Sequence, residues 1–555
     1  MGPGGACYLP SGMPNRADSP GRAREHAEPA GRSYADPEVR DLLDRPRLAA
    51  REVPSTRQIF VNRNLRMDQI ELVGFDMDYT LAIYQLVRME KLAFDLTLQR
   101  MVERGGYPAE LRVALDYAPD FVIRGLVMDR VAGNVFKMDR FNHVGRGYHG
   151  RRPLSDEERR RVYREEKIHL SEPRFAWIDT LFALPEASLF AGVVDLLEGR
   201  GQTVNYGRLC DDIRTTIDAV HADDTLKSQV RRDLGRYLLK DLELGPALHR
   251  LRSGGKKLFL LTNSFADYTE AVMRYLLDGV LPEYPSWRNY FDVVITGARK
   301  PTFFSERRPF VELAPDGSPL GEPRAFERGK TYQGGNLADF ERLVGIGGDR
   351  VLYVGDHIYG DILRSKKSSL WRTCMVVEEL ERELGWLEQH QPELEEMARL
   401  EELRLRLDDE SAAQRIALNA VDRRLDRRAA EAPERAELES ERRRMKLDLE
   451  RLRRALRDAN ARIEELRHLV EDGYNRYWGL TFKEGNENSR FGEQIEDYAC
   501  LYTSRASNFI FYSPMQYFRS LRAAMPHERA AVAMAPYGEE HAAPAAGDRP
   551  SKTTR

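Results

Sequence analysis

The chain has 555 residues, too many for one ordinary domain, and 42% of them are hydrophobic, enough for sizeable cores. A formal net charge of −3 with no dominant basic block gives no footprint for a nucleic-acid polymer. Cys7, Cys210, Cys374 and Cys500 lie far apart, which argues against a zinc site or a disulfide framework, and no apolar run approaches the ~18 residues of a membrane span. With no apolar signal core at the N-terminus, the expectation is a cytoplasmic protein without a membrane partner.

Residues 1–50 are rich in Gly, Pro, Arg and Ala without periodicity and are expected to be disordered, as is the tail 531–555. Between them, short apolar runs alternate with helical patterns. Ile70–Phe75 ends in Asp76, Lys257–Leu261 in Thr262, and Val351–Val354 in Gly355 and Asp356; Asp292–Ile295 precedes Gly297. Such runs predict buried parallel strands with covering helices, an α/β fold. Polar residues at the carboxyl ends of such strands are candidates for one site.

Residues 379–470 are dense in Glu, Arg and Leu, in keeping with a charged fraction of 32% against the ~25% of typical chains. Met445, Leu449, Leu452, Leu456, Ala459, Ile463, Leu466 and Val470 alternate steps of four and three, an a/d heptad seam. A patchier stripe, including Leu394, Met397, Leu418, Val421 and Leu425, precedes it, and Pro433 between the halves breaks the helix. The pattern predicts an antiparallel helical hairpin of coiled-coil type. It serves as a structural insertion or oligomer contact, or alternatively as a partner-binding arm. The aromatic-rich stretch Tyr474–Arg522 carries too much apolar surface for a tail and should pack back onto the body.

The chemistry centres on Asp76-Met77-Asp78-Tyr79-Thr80. One carboxylate can attack phosphorus; a second, two residues on, can protonate the leaving alkoxide and then activate water. Thr262, Asn263 and Ser264 offer donors for phosphate oxygens, Lys300 offers a balancing charge, and Asp356 and Asp361 add carboxylates of the kind Mg²⁺ takes together with water and substrate phosphate. Each element has an ordinary structural role as well: turn or cap aspartates, N-capping Thr, Asn and Ser, a solvated lysine. Their succession at four strand ends is what favours catalysis.

On these residues the chain resembles the haloacid dehalogenase (HAD) superfamily of phosphatases, and on longer strings the cytosolic purine 5′-nucleotidase family. The strings are GFDMDYTLAIY, RGLVMDRVAGNVFKMDR, DTLFALPEASLF, LLTNSFADYT, ARKPTFF, YQGGNLADFERLVG, VLYVGDHIYGDILRSKK and a late segment ending at Glu528. The resemblance implies a Rossmann-like core in two parts, 51–83 and 247–378. A cap over 84–246 would be inserted after the first motif, followed by the hairpin 379–470 and a docked segment 471–530. It implies catalytic roles for Asp76, Asp78 and Lys300. Mg²⁺ would be held by Asp76, the carbonyl of Asp78 and Asp356, with Asp361 supporting from behind. Thr262, Asn263 and Ser264 would bind phosphate, and Arg174 and Asp179 the nucleoside. The implied activity is Mg²⁺-dependent hydrolysis of purine nucleoside 5′-monophosphates through an aspartyl phosphate, with phosphotransfer as a side activity, in a homo-oligomer. The alternatives are a phosphatase for another phosphorylated metabolite, or a non-catalytic scaffold that uses the hairpin.

Overall fold

The computed structural model describes residues 53–521, apart from 165–167, 364, 366–368 and 427–431. Both expected disordered segments, and the string end at Glu528, lie outside the described residues.

Ten strands form the main sheet: β1 Ile59–Val61, β2 Leu72–Phe75, β3 Lys257–Leu261, β4 Val293–Thr296, β5 Phe310–Leu313, β6 Pro319–Gly321, β7 Thr331–Gly334, β8 Val351–Gly355, β9 Arg372–Val376 and β10 Leu501–Thr503. Their order is β1-β10-β9-β8-β2-β3-β4-β7-β5-β6. Neighbours from β10 to β7 run parallel, while β1, β5 and β6 pair antiparallel at the edges. The α/β class holds, and the four apolar runs are the strands at its centre. Being covered on both faces, β2 and β8 are buried at every residue, so they read as continuous apolar runs and do not alternate.

Register fixes what the strand ends share. Phe75 pairs with Leu260 on one side and Val354 on the other, so Asp76, Leu261-Thr262 and Gly355-Asp356 leave the sheet at one level. Gly74 is needed in β2 because the ring of Phe259 lies across it: a Cβ there would stand 2.0 Å from the ring Cζ.

Between β2 and β3 the chain builds a second layer. Helices Leu86–Arg104, Leu184–Gly199 and Tyr206–Ala222 share the core of the main sheet. A five-stranded antiparallel sheet, ordered Arg152–Pro153, Val144–His149, Asn134–Met138, Leu126–Asp129, Phe175–Ile178, stands beside them.

The helical hairpin is present. A root helix, α1 Glu379–Gln389, leads into α2 Gln391–Asp426 and α3 Ala432–Arg467. Cross-pairs Arg424–Glu434, Arg442–Asp422 and Arg462–Glu396 establish the antiparallel arrangement. Leu449, Ala459, Ile463, Leu466 and Val470 are buried, and Met445, Leu452 and Leu456 half-buried, between exposed neighbours. Pro433 does not separate the helices; it sits in the first turn of α3, where its missing N–H costs nothing.

The aromatic-rich segment is described as far as Leu521. It supplies β10, pairs Tyr517–Phe518 with Leu65–Arg66, and buries Trp478, whose indole N–H donates to the Phe121 carbonyl at 2.6 Å. No helix among the described residues is long and apolar enough to cross a membrane. Cys210, Cys374 and Cys500 are buried and unpaired.

Candidate active site

The central strand ends carry the polar residues. Asp76 follows β2, and its N–H donates to the Val354 carbonyl at 2.9 Å, so the turn is pinned across to β8. One carboxylate oxygen from each of Asp76, Asp356 and Asp361 lies within 4.8 Å of the others. Lys300 spans the group: its Nζ is 2.9 Å from Asp76 Oδ1 and 2.7 Å from Asp361 Oδ1, and it donates to the Tyr353 hydroxyl at 2.9 Å.

Electrostatics shows what this cluster is short of. Burial pushes Asp76 well above the usual carboxylate range; Lys300 opposes that, and Asp361, Asp356 and Asp78 add to it. Burial, with Asp361 beside it, raises Asp356 to about 7. Burial pulls Lys300 down, but Asp361 and Asp76 outweigh it and hold the ammonium above its ordinary value. One lysine faces three buried carboxylates. A divalent cation that takes oxygen ligands would relieve the remaining repulsion, and this donor set fits one.

Asp78 stands apart from the cluster and is aimed elsewhere. It accepts from the Tyr84 hydroxyl at 2.6 Å and from Ser264 Oγ at 2.7 Å. The turn that separates the two aspartates puts Tyr79 at φ 54, a conformation an aromatic residue rarely adopts. Thr262 is fully buried after β3, its Oγ1 accepting from the Ser264 N–H at 3.1 Å. Asn263 donates to the Lys300 carbonyl at 2.9 Å and accepts from the Lys300 N–H, which locks the β3 and β4 turns together.

The nucleoside side differs from expectation. Arg174 is not brought to the site: Nε and Nη2 donate to Asp129 at 3.0 and 2.8 Å, inside the five-stranded sheet. Asp179 comes near the cluster but faces His357, 3.6 Å from its Nε2. Burial works against that imidazolium, yet Asp179 outweighs it and raises His357 to about 9. The cavity beside Asp78, about 320 Å³, is lined instead by Asn263 and Ser264 with Phe182, Glu186, Arg214, Asp218, His221 and Lys227. Arg214, Asp218 and His221 are spaced four and three apart on helix Tyr206–Ala222, so they share one face. That spacing was the available signal in the sequence, and it reads as an ordinary amphipathic helix until the fold is known. Burial pushes His221 down to about 4, so its imidazole is neutral, and its Nε2 has no partner among the described residues. Arg214 pairs with Glu186 at 2.9 Å. A larger cavity, about 870 Å³, opens at the hairpin root and includes none of the clustered carboxylates.

The 5′ nucleotidase family matches residues 59–530. The chain belongs to that family. Among curated relatives of this family member, the 5′-nucleotidase domain-containing protein DDB_G0275467 of Dictyostelium discoideum is 32% identical over 89% of this chain and 78% of its own length. The 5′-nucleotidase domain-containing protein 2 of Homo sapiens is 35% identical over 64% of this chain and 68% of its own. Among solved structures, CbbY from Rhodobacter sphaeroides in complex with phosphate aligns over 55% of this chain and 86% of that one, at 15% identity and a TM-score of 0.20. That score adds nothing to the sheet topology. What the family and the geometry establish together is a 5′ nucleotidase family member with a buried aspartate triad.

Proposed function

We propose that this family member is a Mg²⁺-dependent 5′-nucleotidase for purine nucleoside 5′-monophosphates, with Asp76 as nucleophile. The supporting observation is the division between the two motif aspartates. Asp76 lies in the cluster with Lys300, whereas Asp78 is turned toward Tyr84, Ser264 and the adjacent cavity.

In the proposed reaction Asp76 Oδ attacks phosphorus in line and the bond to the ester oxygen breaks. Asp78 gives that oxygen its proton, releasing the nucleoside. Asp78, now a carboxylate, takes a proton from water, which attacks phosphorus and frees Asp76 and inorganic phosphate. An incoming nucleoside in place of water gives phosphotransfer. Lys300 and the N–H and hydroxyl groups around Thr262 and Asn263 oppose the negative charge that spreads over the phosphoryl oxygens. Asp76, Asp356 and the main chain at Asp78 would hold the Mg²⁺, with Asp361 behind; when bound, it supplies charge stabilisation to the same oxygens.

The base is assigned to the cavity beside Asp78. Phe182 offers an aromatic face; neutral His221, Arg214 and Asp218 offer donors and acceptors for ring and exocyclic atoms. Arg174 has no part in this reading. The insertion 84–246 then serves as the cap that reads the nucleoside. The test is a panel of purine and pyrimidine nucleoside monophosphates and sugar phosphates, assayed with Mg²⁺ and after exhaustive chelation. Preference for purine monophosphates and loss on chelation are expected. Preference for a sugar phosphate would move the assignment to another metabolite, and no turnover of any would favour a scaffold.

A further inference from the structure

Arg124 is almost wholly buried, yet it lines no part of the cavity beside Asp78. It stands just before the insertion strand Leu126–Asp129. Its Nε donates to Glu379 Oε1 at 2.7 Å and Nη2 donates to Glu379 Oε2. Nη1 donates to the main-chain carbonyl of Asp356 at 3.0 Å. The guanidinium also lies over the Phe491 ring, 5.0 Å from its centroid. Four segments therefore meet on one side chain: the insertion, the end of β8 at Asp356, the first residue of α1, and helix Arg490–Tyr498. Two parallel bonds to a carboxylate, with a further N–H left for a carbonyl, is a pattern that arginine makes and lysine does not.

The residues beyond Asp356 are braced by two of the same elements, α1 and helix Arg490–Tyr498. Ile358 and Ile362 share one buried cluster with Leu380 of α1 and with Phe491. The main chain that aims the Asp356 carboxylate is thus held by Arg124 and by packing against the hairpin root.

We infer that Arg124 is a positioning residue for Asp356, and that its pairing with Glu379 makes the root of the hairpin part of the support for cation binding. This rests on the reading of Asp76, Asp356 and Asp361 as a cation site. Neither partner lines the cavity beside Asp78, so the pair acts on cation affinity and not on turnover at saturating cation.

The experiment measures Mn²⁺ binding to the purified full chain by the EPR signal of the free ion, alongside the Mg²⁺ dependence of turnover. Arg124→Lys keeps the charge and loses the fork; Mn²⁺ affinity is expected to fall about 10- to 100-fold, the usual cost of removing outer support from a metal ligand. Glu379→Gln keeps one acceptor and is expected to fall less, in the same direction. The double variant should be no worse than Arg124→Lys alone, because the two act as one unit. In each variant kcat at saturating Mg²⁺ should stay near the wild-type value. If Arg124→Lys does not fold, Glu379→Gln decides alone. A merely structural pair would lower the melting temperature and leave Mn²⁺ affinity per folded molecule unchanged; that result, or fully additive losses, overturns the inference. Wild-type protein that takes up no Mn²⁺ overturns the cation-site reading together with it, whereas wild-type binding with unaffected variants overturns this inference only.

Discussion

In the hairpin, Arg462 meets Glu396 at 2.8 Å with the two side chains 48% and 43% exposed. At the strand ends, Lys300 meets Asp76 and Asp361 at 2.9 and 2.7 Å with side chains 3%, 13% and 2% exposed. The distances are alike and the consequences are opposite. Water screens the hairpin pair and competes for both partners, so little rests on it. The buried trio has no such recourse: removing one member strands the others in a dry site. Charge at the strand ends is costly to keep and is kept by a network, which is what the proposed reading asks of a site. Charge on the hairpin lies at the water interface, where it costs little to keep.

The largest effect should come from breaking the buried side of that contrast. Lys300→Met leaves Asp76 and Asp361 facing each other without a cation from the chain. Stability is expected to fall by ~3–5 kcal/mol and kcat by at least about 10³-fold. Chemical denaturation and steady-state kinetics check this; a stable variant with near-normal turnover would erase the distinction between the two regions. Next in size is Arg214→Ala, which empties one wall of the cavity beside Asp78. On the proposed reading kcat/KM for purine monophosphates falls about 10- to 100-fold, mostly through KM. An equal loss on sugar phosphates would show that the cavity does not read the base.

A smaller, pH-dependent effect sharpens the comparison. Glu186 is buried and its carboxyl is raised to about 7, chiefly by burial against the opposing Arg214 charge. In the unfolded chain it ionises near 4.5, so the folded state holds the proton more tightly. The stability this confers is fully present below pH 4.5 and is lost as pH rises through about 7. Wild-type stability should therefore fall between pH 5 and pH 8 by up to ~3 kcal/mol more than that of Glu186→Gln. Urea unfolding at the two pH values measures the difference; parallel behaviour would remove Glu186 as the source. The smallest effect is on the hairpin: Glu396→Ala should leave the melting temperature and turnover unchanged within error. A clear loss of either would mean that the exposed pair carries structure.

What was legible in the sequence follows the same division. Asp76, Asp78, Thr262, Lys300, Asp356 and Asp361 each end or follow a short apolar run, and a parallel sheet must bring such ends together. The meeting of Asp76, Lys300, Asp356 and Asp361 was therefore readable without knowledge of the chain between them, whereas the turn of Asp78 toward Tyr84 and Ser264 was not. The hairpin was readable because a heptad seam is a local, repeating signal. The cavity was not readable. Arg214, Asp218 and His221 lie on an amphipathic helix whose polar face looks like any solvated face, and only the packing of the insertion over β3 turns it inward. Arg174 misled for the converse reason: it lies in a suggestive string, but Asp129, fully buried on the next strand, claims its guanidinium. Arg124 opens one of the quoted strings, but its role was not readable there, because its partners lie 232 and 255 residues away.

The central claim is that Asp76 carries the phosphoryl group while Asp78 moves the proton. The direct measurement is acid quench of the full-length protein with Mg²⁺ and a purine nucleoside monophosphate labelled in its phosphate, followed by peptide mapping of the label. The account predicts a hydroxylamine-labile acyl phosphate on the peptide containing Asp76. It should be absent in Asp76→Asn and persist longer in Asp78→Asn, where water is no longer activated. Label on any other residue, or steady turnover by Asp76→Asn above the contamination level, would contradict it.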